Sequence, residues 1–143
     1  MNTTIATTET AARLRRAVTR LHRRLRANSL GGVTPTQASL LATLNQLEEP
    51  TLGDLAIAEQ IQPPSVTKLV RDMEESGLIT TFRDLKDRRA TRVRIAPAGR
   101  RELERIRQRK TEFLERRLAA LSSRDRTRAD ELVTFLETLL EEE

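Results

Sequence analysis

There is no cysteine, tryptophan or tyrosine in these 143 residues, and histidine occurs once, as His22. Without a thiol the chain can form no disulfide, no thiolate metal site and no thiol redox sensor. One imidazole cannot build a His-rich metal site, and no cofactor is expected. Aromatics amount to 2% of residues, all phenylalanine, so the stacking platforms that grip single-stranded nucleic acid are nearly missing. No apolar run approaches the roughly 18 residues that a membrane span needs. The opening Met1-Asn2-Thr3-Thr4-Ile5-Ala6-Thr7-Thr8 lacks the charged-then-apolar order of a signal peptide; a cytoplasmic location, with no membrane partner, is the expectation. A nucleophile–base–orienter set, a Gly-rich phosphate loop and paired carboxylates in a pocket pattern are absent too, which argues against an enzyme.

What the chain has is charge. Lys and Arg number 26 against 21 Asp and Glu, a net charge of +5, with arginine dominating the cations. This balance favours polyanionic partners, nucleic acid first and an anionic membrane second. With so few aromatics, duplex DNA fits better than single-stranded RNA. Apolar residues are 37% and charged ones 33%, which suits an elongated helical protein better than a compact enzyme. The missing apolar contact would come from a second copy, as in an obligate homodimer.

The most informative stretch is residues 51–95. Thr51 as N-cap and Asp54 as its partner make a capping box that opens a short helix through Glu59. Gln60-Ile61-Gln62 interrupts it, because Pro63 and the residue before it resist the α region. A second helix can start at Pro63 or Pro64, where the missing N–H costs nothing. It should run to about Glu75, with Gly77 as the left-handed cap. Leu52, Leu55, Ala56, Val66, Leu69, Val70 and Met73 are the expected inner residues. Leu78 to Arg83 and Thr91 to Ile95 are β-prone, and the second run alternates, with Val93 and Ile95 on one face and Arg92 and Arg94 on the other. The charged stretch Asp84 to Ala90 between them predicts a hairpin with a long basic tip. The fold class is therefore mainly α with a small β-hairpin wing: a winged helix-turn-helix.

Helices flank this unit. Leu14, Val18, Leu21 and Leu25 form one narrow apolar stripe on a helix expected from about Thr8 or Thr10, the residues before it being polar and frayed. Its other faces carry Arg13, Arg15, Arg16, Arg20, Arg23, Arg24 and Arg26, which invite a second nucleic-acid patch but are expected instead to form a solvated face paired with acidic residues of the terminal helix, which ends Glu141-Glu142-Glu143. Thr34-Pro35-Thr36-Gln37 is a second capping box; the helix it opens should bury Leu40, Leu41, Leu44 and Leu47 and close at Pro50. Pro97 starts a long helix containing Leu103, Ile106, Phe113, Leu114, Leu118 and Leu121. Ser122-Ser123-Arg124-Asp125 breaks it, and a last helix carries Ala129, Leu132, Val133, Leu136, Leu139 and Leu140. Phe113 and Phe135 are expected to pack, and His22 to lie at the surface or an interface. The division is then residues 1–32, an N-terminal dimerisation helix; 33–96, the DNA-binding domain; and 97–143, C-terminal dimerisation helices. Leu14, Val18, Leu21, Leu25, Leu132, Leu136 and Leu139 are the candidate dimer contacts.

On these residues the chain resembles the MarR family of dimeric bacterial transcription regulators. Leu55-Ala56 with Ile61, Val66 to Val70 and Glu74 to Ile79 resemble the family's helix-turn-helix and its exit into the wing. Asp84-Leu85-Lys86-Asp87-Arg88-Arg89 is similar to its wing signature, and Val93-Arg94-Ile95 with Gly99-Arg100 to the strand and helix that follow. The sequence departs from the family pattern at Gln60, where a Gly is frequent, at Ala96, where a capping Thr is usual, and at Arg71-Asp72, which reverses a common charge order. The resemblance implies repression relieved by a small, frequently aromatic, anionic effector bound between the dimerisation and DNA-binding parts.

The chemistry of individual residues sharpens this. Ser65, Thr67 and Lys68 lie on the first turns of the recognition helix, residues 63–75, behind Gln62, Pro63 and Pro64, where base edges and phosphates are in reach. Arg71 is the candidate guanine reader in the major groove. In the wing, residues 84–90, Lys86, Arg88 and Arg89 are candidates for the minor groove, whose negative potential attracts arginine; Asp87 would orient one of the guanidiniums. The expected function is a homodimeric repressor on a palindromic double-stranded DNA operator. The alternatives are a winged-helix activator, a nucleoid-associated winged-helix protein of low specificity, or a helical protein-interaction scaffold.

Overall fold

The computed structural model describes residues 2–141, with side chains from Ala6 onward. Six helices and one hairpin follow in the order α1 (Asn2–Ala27), α2 (Pro35–Gln46), α3 (Leu52–Glu59), α4 (Pro63–Glu75), β1 (Ile79–Arg83), β2 (Thr91–Ile95), α5 (Pro97–Ala119) and α6 (Ser123–Glu141). β1 and β2 are antiparallel, with Ile79 opposite Ile95 and Thr81 opposite Val93 on the inner face.

Local chemistry sets most of the boundaries. Thr34 and Thr51 both form complete capping boxes, with Gln37 and Asp54 as partners. The Thr51 N–H and hydroxyl hold the Asp54 carboxyl below the usual carboxylate range. Ala96 offers no side-chain cap to α5, which instead starts on Pro97, whose missing N–H leaves one donor fewer to satisfy. Gly77, at φ +76°, closes α4 in a Schellman arrangement: the Leu78 N–H reaches the Met73 carbonyl and the Gly77 N–H that of Glu74. Gln60 takes the same left-handed conformation after α3, at φ +54°. The turn accepts a side chain because Ile61 follows it into the edge of the core and bonds back to the Ala56 carbonyl.

The core lies where α2, α3, α4, the hairpin and the start of α5 meet. It consists of Leu40, Leu41, Leu44, Leu55, Val66, Val70, Met73, Ile79, Val93, Ile95 and Leu103, with Leu52, Ala56, Ile61 and Leu69 packed against it. Ser39 and Thr43 of α2 both donate to the Glu59 carboxylate and fix the crossing of α2 and α3. Arg109 of α5 donates to the Ser29 carbonyl, tying the α1–α2 loop to the long helix.

Several expectations need correction. α1 begins at Asn2, well before Thr8: a threonine-rich first two turns has no apolar stripe to announce it, yet continues the helix. α2 ends at Gln46, short of Pro50, and Leu47 is exposed because it lies past the last turn. Phe113 is buried, but Phe135 is exposed, as are Leu118 and Leu121. None of the arginines of α1 pairs with an acidic residue of α6 among the described residues; Glu142 and Glu143 lie outside them.

Candidate nucleic-acid interface

Helix α4 turns Val66, Val70 and Met73 inward. At 3.6 residues per turn, the opposite face carries Pro64, Lys68, Arg71 and Glu75, with Ser65 and Thr67 on its two flanks; all are exposed, as are Gln62 and Pro63. Gln62 makes no side-chain cap to α4, so its amide is available outward. The Thr67 hydroxyl donates to the Pro63 carbonyl at 3.1 Å. Its oxygen retains only acceptor capacity, which suits an amino group on a base edge and not a phosphate oxygen. Lys68 and Arg71 form no salt bridge among the described residues. The outer face of the helix therefore presents two cations held in no ion pair, with Glu75 one turn beyond Arg71.

The wing is built on backbone bonds. Its strands close through the Asp84 N–H to the Ala90 carbonyl at 3.0 Å, and the Ala90 N–H returns to the Asp87 carbonyl at 2.9 Å. Asp87 Oδ1 accepts the Arg89 N–H at 3.1 Å and stands 3.8 Å from that guanidinium. Asp87 thus shapes the turn more than it grips the arginine, whose side chain stays free to reach. Lys86, Arg88 and Arg89 are all exposed. Exit from α4 into β1 runs through Leu78, whose carbonyl accepts the Ala96 N–H at 3.0 Å; this couples the helix end to the foot of the hairpin.

Sequence reasoning missed the residues that anchor the base of the wing. Asp84 accepts the Lys86 N–H and the Arg92 guanidinium, each at 3.2 Å. These two bonds, the backbone one foremost, lower its pKa from the ordinary carboxylate value. Arg92 also donates to the Glu49 carbonyl at 2.6 Å, while the Glu49 carboxylate takes Arg94, whose guanidinium lies 4.7 Å from the Phe82 ring. The Val93 N–H bonds to the Pro50 carbonyl at 2.9 Å. A line of contacts therefore runs from the α2–α3 loop to the base of the wing tip. Arg92 and Arg94, which read as outward strand residues, are spent on this brace. The signal available was the bare acidic pair Glu48-Glu49 before a capping box, too weak to place across more than 40 residues of chain.

The candidate dimer residues divide by depth. Leu14, Leu25 and Leu136 are half-buried, whereas Val18, Leu21, Leu132 and Leu139 are exposed, and α6 buries no residue at all. Ala6, Thr10, Ala11 and Leu14 of α1 and Phe135 and Leu139 of α6 line one shallow apolar groove. A separate cavity of about 270 Å³ opens between α1, α2 and α5; His22, Arg26, Arg107 and Lys110 stand at its wall over Leu30, Ala38, Ala42, Leu103 and Ile106. No cluster of metal-ligating side chains occurs among the described residues, and no helix among them is long and apolar enough to cross a membrane.

A sequence model described as the MarR family matches residues 33–91, the stretch from the start of α2 to the start of β2. An HTH-type transcriptional regulator of Mycobacterium tuberculosis is 33% identical over 117 residues, 81% of this chain and 82% of that protein. Among solved structures, a transcriptional regulator of Thermotoga maritima superposes with a TM-score of 0.81 at 21% identity, covering 91% of this chain and 95% of its own. A transcriptional regulator protein of Pseudomonas aeruginosa aligns with a TM-score of 0.78 at 31% identity, over 96% and 98% of the two chains. The S. aureus MepR chain solved bound to an oligodeoxyribonucleotide has the same fold, with a TM-score of 0.70 at 20% identity over 92% and 97%.

Proposed function

From the premise that this chain belongs to the MarR family of transcriptional regulators, we propose that it acts as a homodimeric repressor of a palindromic double-stranded DNA operator. On this reading residues 33–96 bind DNA, and residues 1–32 and 97–143 hold the dimer. The recognition helix α4 enters the major groove with Gln62, Pro63, Pro64, Ser65, Thr67, Lys68 and Arg71 along the contact, and the wing sends Lys86, Arg88 and Arg89 to the flanking minor groove. The observation that carries this is the outer face of α4, with Lys68 and Arg71 exposed and in no ion pair among the described residues, joined through Leu78 to a braced basic hairpin. Two-fold symmetry then sets two reading heads about one DNA turn apart, near 34 Å.

Effector control is part of the proposal. The cavity between α1, α2 and α5 has an apolar floor and three basic side chains with His22 at its wall, which suits a small organic anion. Its walls join a dimerisation helix to the helix that floors the DNA-binding domain. An occupant that favours one separation of the reading heads shifts the population by its differential affinity for the two states.

Footprinting against genomic fragments tests the reading. One protected palindrome of roughly 20 base pairs is expected, with affinity falling steeply as salt rises. Lys68→Ala is expected to weaken binding, and as a phosphate contact it would lower the salt slope by about one. Diffuse coverage would support the low-specificity alternative, and affinity indifferent to salt would support the scaffold.

A further inference from the structure

Leu85 is 95% exposed, more than any other large apolar side chain among the described residues. A single exposed leucine is ordinary on a protein surface, but the setting of this one is not. It occupies the wing tip between Asp84 and Lys86, with Arg88 and Arg89 across the turn, so the most outstanding apolar group lies inside the most basic loop.

The tip is also held. Asp84 ties the Lys86 N–H on one side of Leu85 and Arg92 behind it, and Arg92 is anchored in turn on the Glu49 carbonyl. The Asp84 and Ala90 backbone groups close the loop beneath. Leu85 therefore projects from a braced turn and meets nothing in its own chain. The backbone beneath it is ordered in advance, so contact need freeze only the leucine side chain.

The chemistry that such a tip fits is the DNA minor groove: phosphates along the rims for the flanking cations, and apolar deoxyribose walls with base edges between them. Leucine is among the side chains that minor-groove proteins use to part neighbouring base steps. We propose that Leu85 is an apolar wedge that enters the minor groove beneath the wing and partly unstacks a base step. The inference rests on the DNA-binding reading above and adds to it. Arginine insertion reads groove width through charge, whereas the wedge reads deformability and so favours the easily unstacked pyrimidine–purine steps TA and CA.

The test uses the full-length protein and the duplex found by footprinting, with labels at the two DNA ends to report bending by energy transfer. Because Leu85 touches nothing, Leu85→Ser should leave the unfolding midpoint unchanged. It is expected to lower affinity about tenfold at every salt concentration, the worth of a substantially buried leucine. The salt slope should stay as in the wild type, since no phosphate contact is removed. Bending should decrease, the preference for TA or CA steps under the wing should flatten, and Leu85→Met should retain most of each. Wild-type affinity, bend and step preference in Leu85→Ser would overturn the wedge while leaving the DNA-binding reading intact. A lost affinity accompanied by a reduced salt slope would overturn it too, by moving the effect to the arginines. A wild-type protein that shows no salt-dependent duplex binding would overturn both.

Discussion

Gly99 shows how one residue carries a packing requirement. A Cβ placed there would stand 2.1 Å from the Leu78 carbonyl oxygen and 2.9 Å from Ile95. That carbonyl is also the acceptor for the Ala96 N–H, so it cannot swing aside without breaking the joint between α4, the hairpin and α5. Gly99→Ala is expected to destabilise the fold by about 2 kcal/mol, strain from overpacking outweighing the helix propensity gained. Urea unfolding measures it as a lower midpoint at unchanged slope. Gln60 is the contrasting case. Its position marked a turn in the sequence, and the positive φ follows from that turn, whereas the closeness of Gly99 to Leu78 depends on residues more than 20 apart in the chain.

At the scale of the element, the wing is held by a charged brace. Asp84 titrates below the ordinary carboxylate value because the Lys86 N–H and the Arg92 guanidinium bond to its charged form. A folded pKa beneath the unfolded one gives stability that is fully present above the unfolded value, about 3.9, and is lost as pH falls through the depressed one. The Asp84 side-chain carboxyl, followed by NMR, is expected to show a midpoint below that of an unperturbed Asp, and Arg92→Gln should move it up toward that value. The same variant should weaken DNA binding although the Arg92 guanidinium is taken up by Asp84 and Glu49; unchanged binding would show that the brace does not aim the wing. Helix starts were readable wherever a side chain bonds its own backbone, as at Thr34, Thr51 and Ser122. The start of α1 was not, since its first residues carry no apolar stripe.

At the scale of the whole molecule, α6 is an amphipathic helix without a buried residue, and α1 leaves Val18 and Leu21 exposed. On the proposed reading a second copy covers these faces, and reading-head spacing depends on it. Replacing both Leu136 and Leu139 by Lys is expected to give a monomer in analytical ultracentrifugation, with loss of tight binding to the full palindrome. A monomer that kept that affinity would uncouple dimerisation from operator recognition. The sequence by itself determined the order of the elements, the two capping boxes, the inner face of α4 and the alternation of β2, because each is settled by neighbours within a turn or a strand pair. Only the tertiary structure decided that Arg92 and Arg94 brace the wing on Glu49 and that Gly99 must lack a side chain. Those facts are distances between segments far apart in the chain, and local propensity carries no information about them.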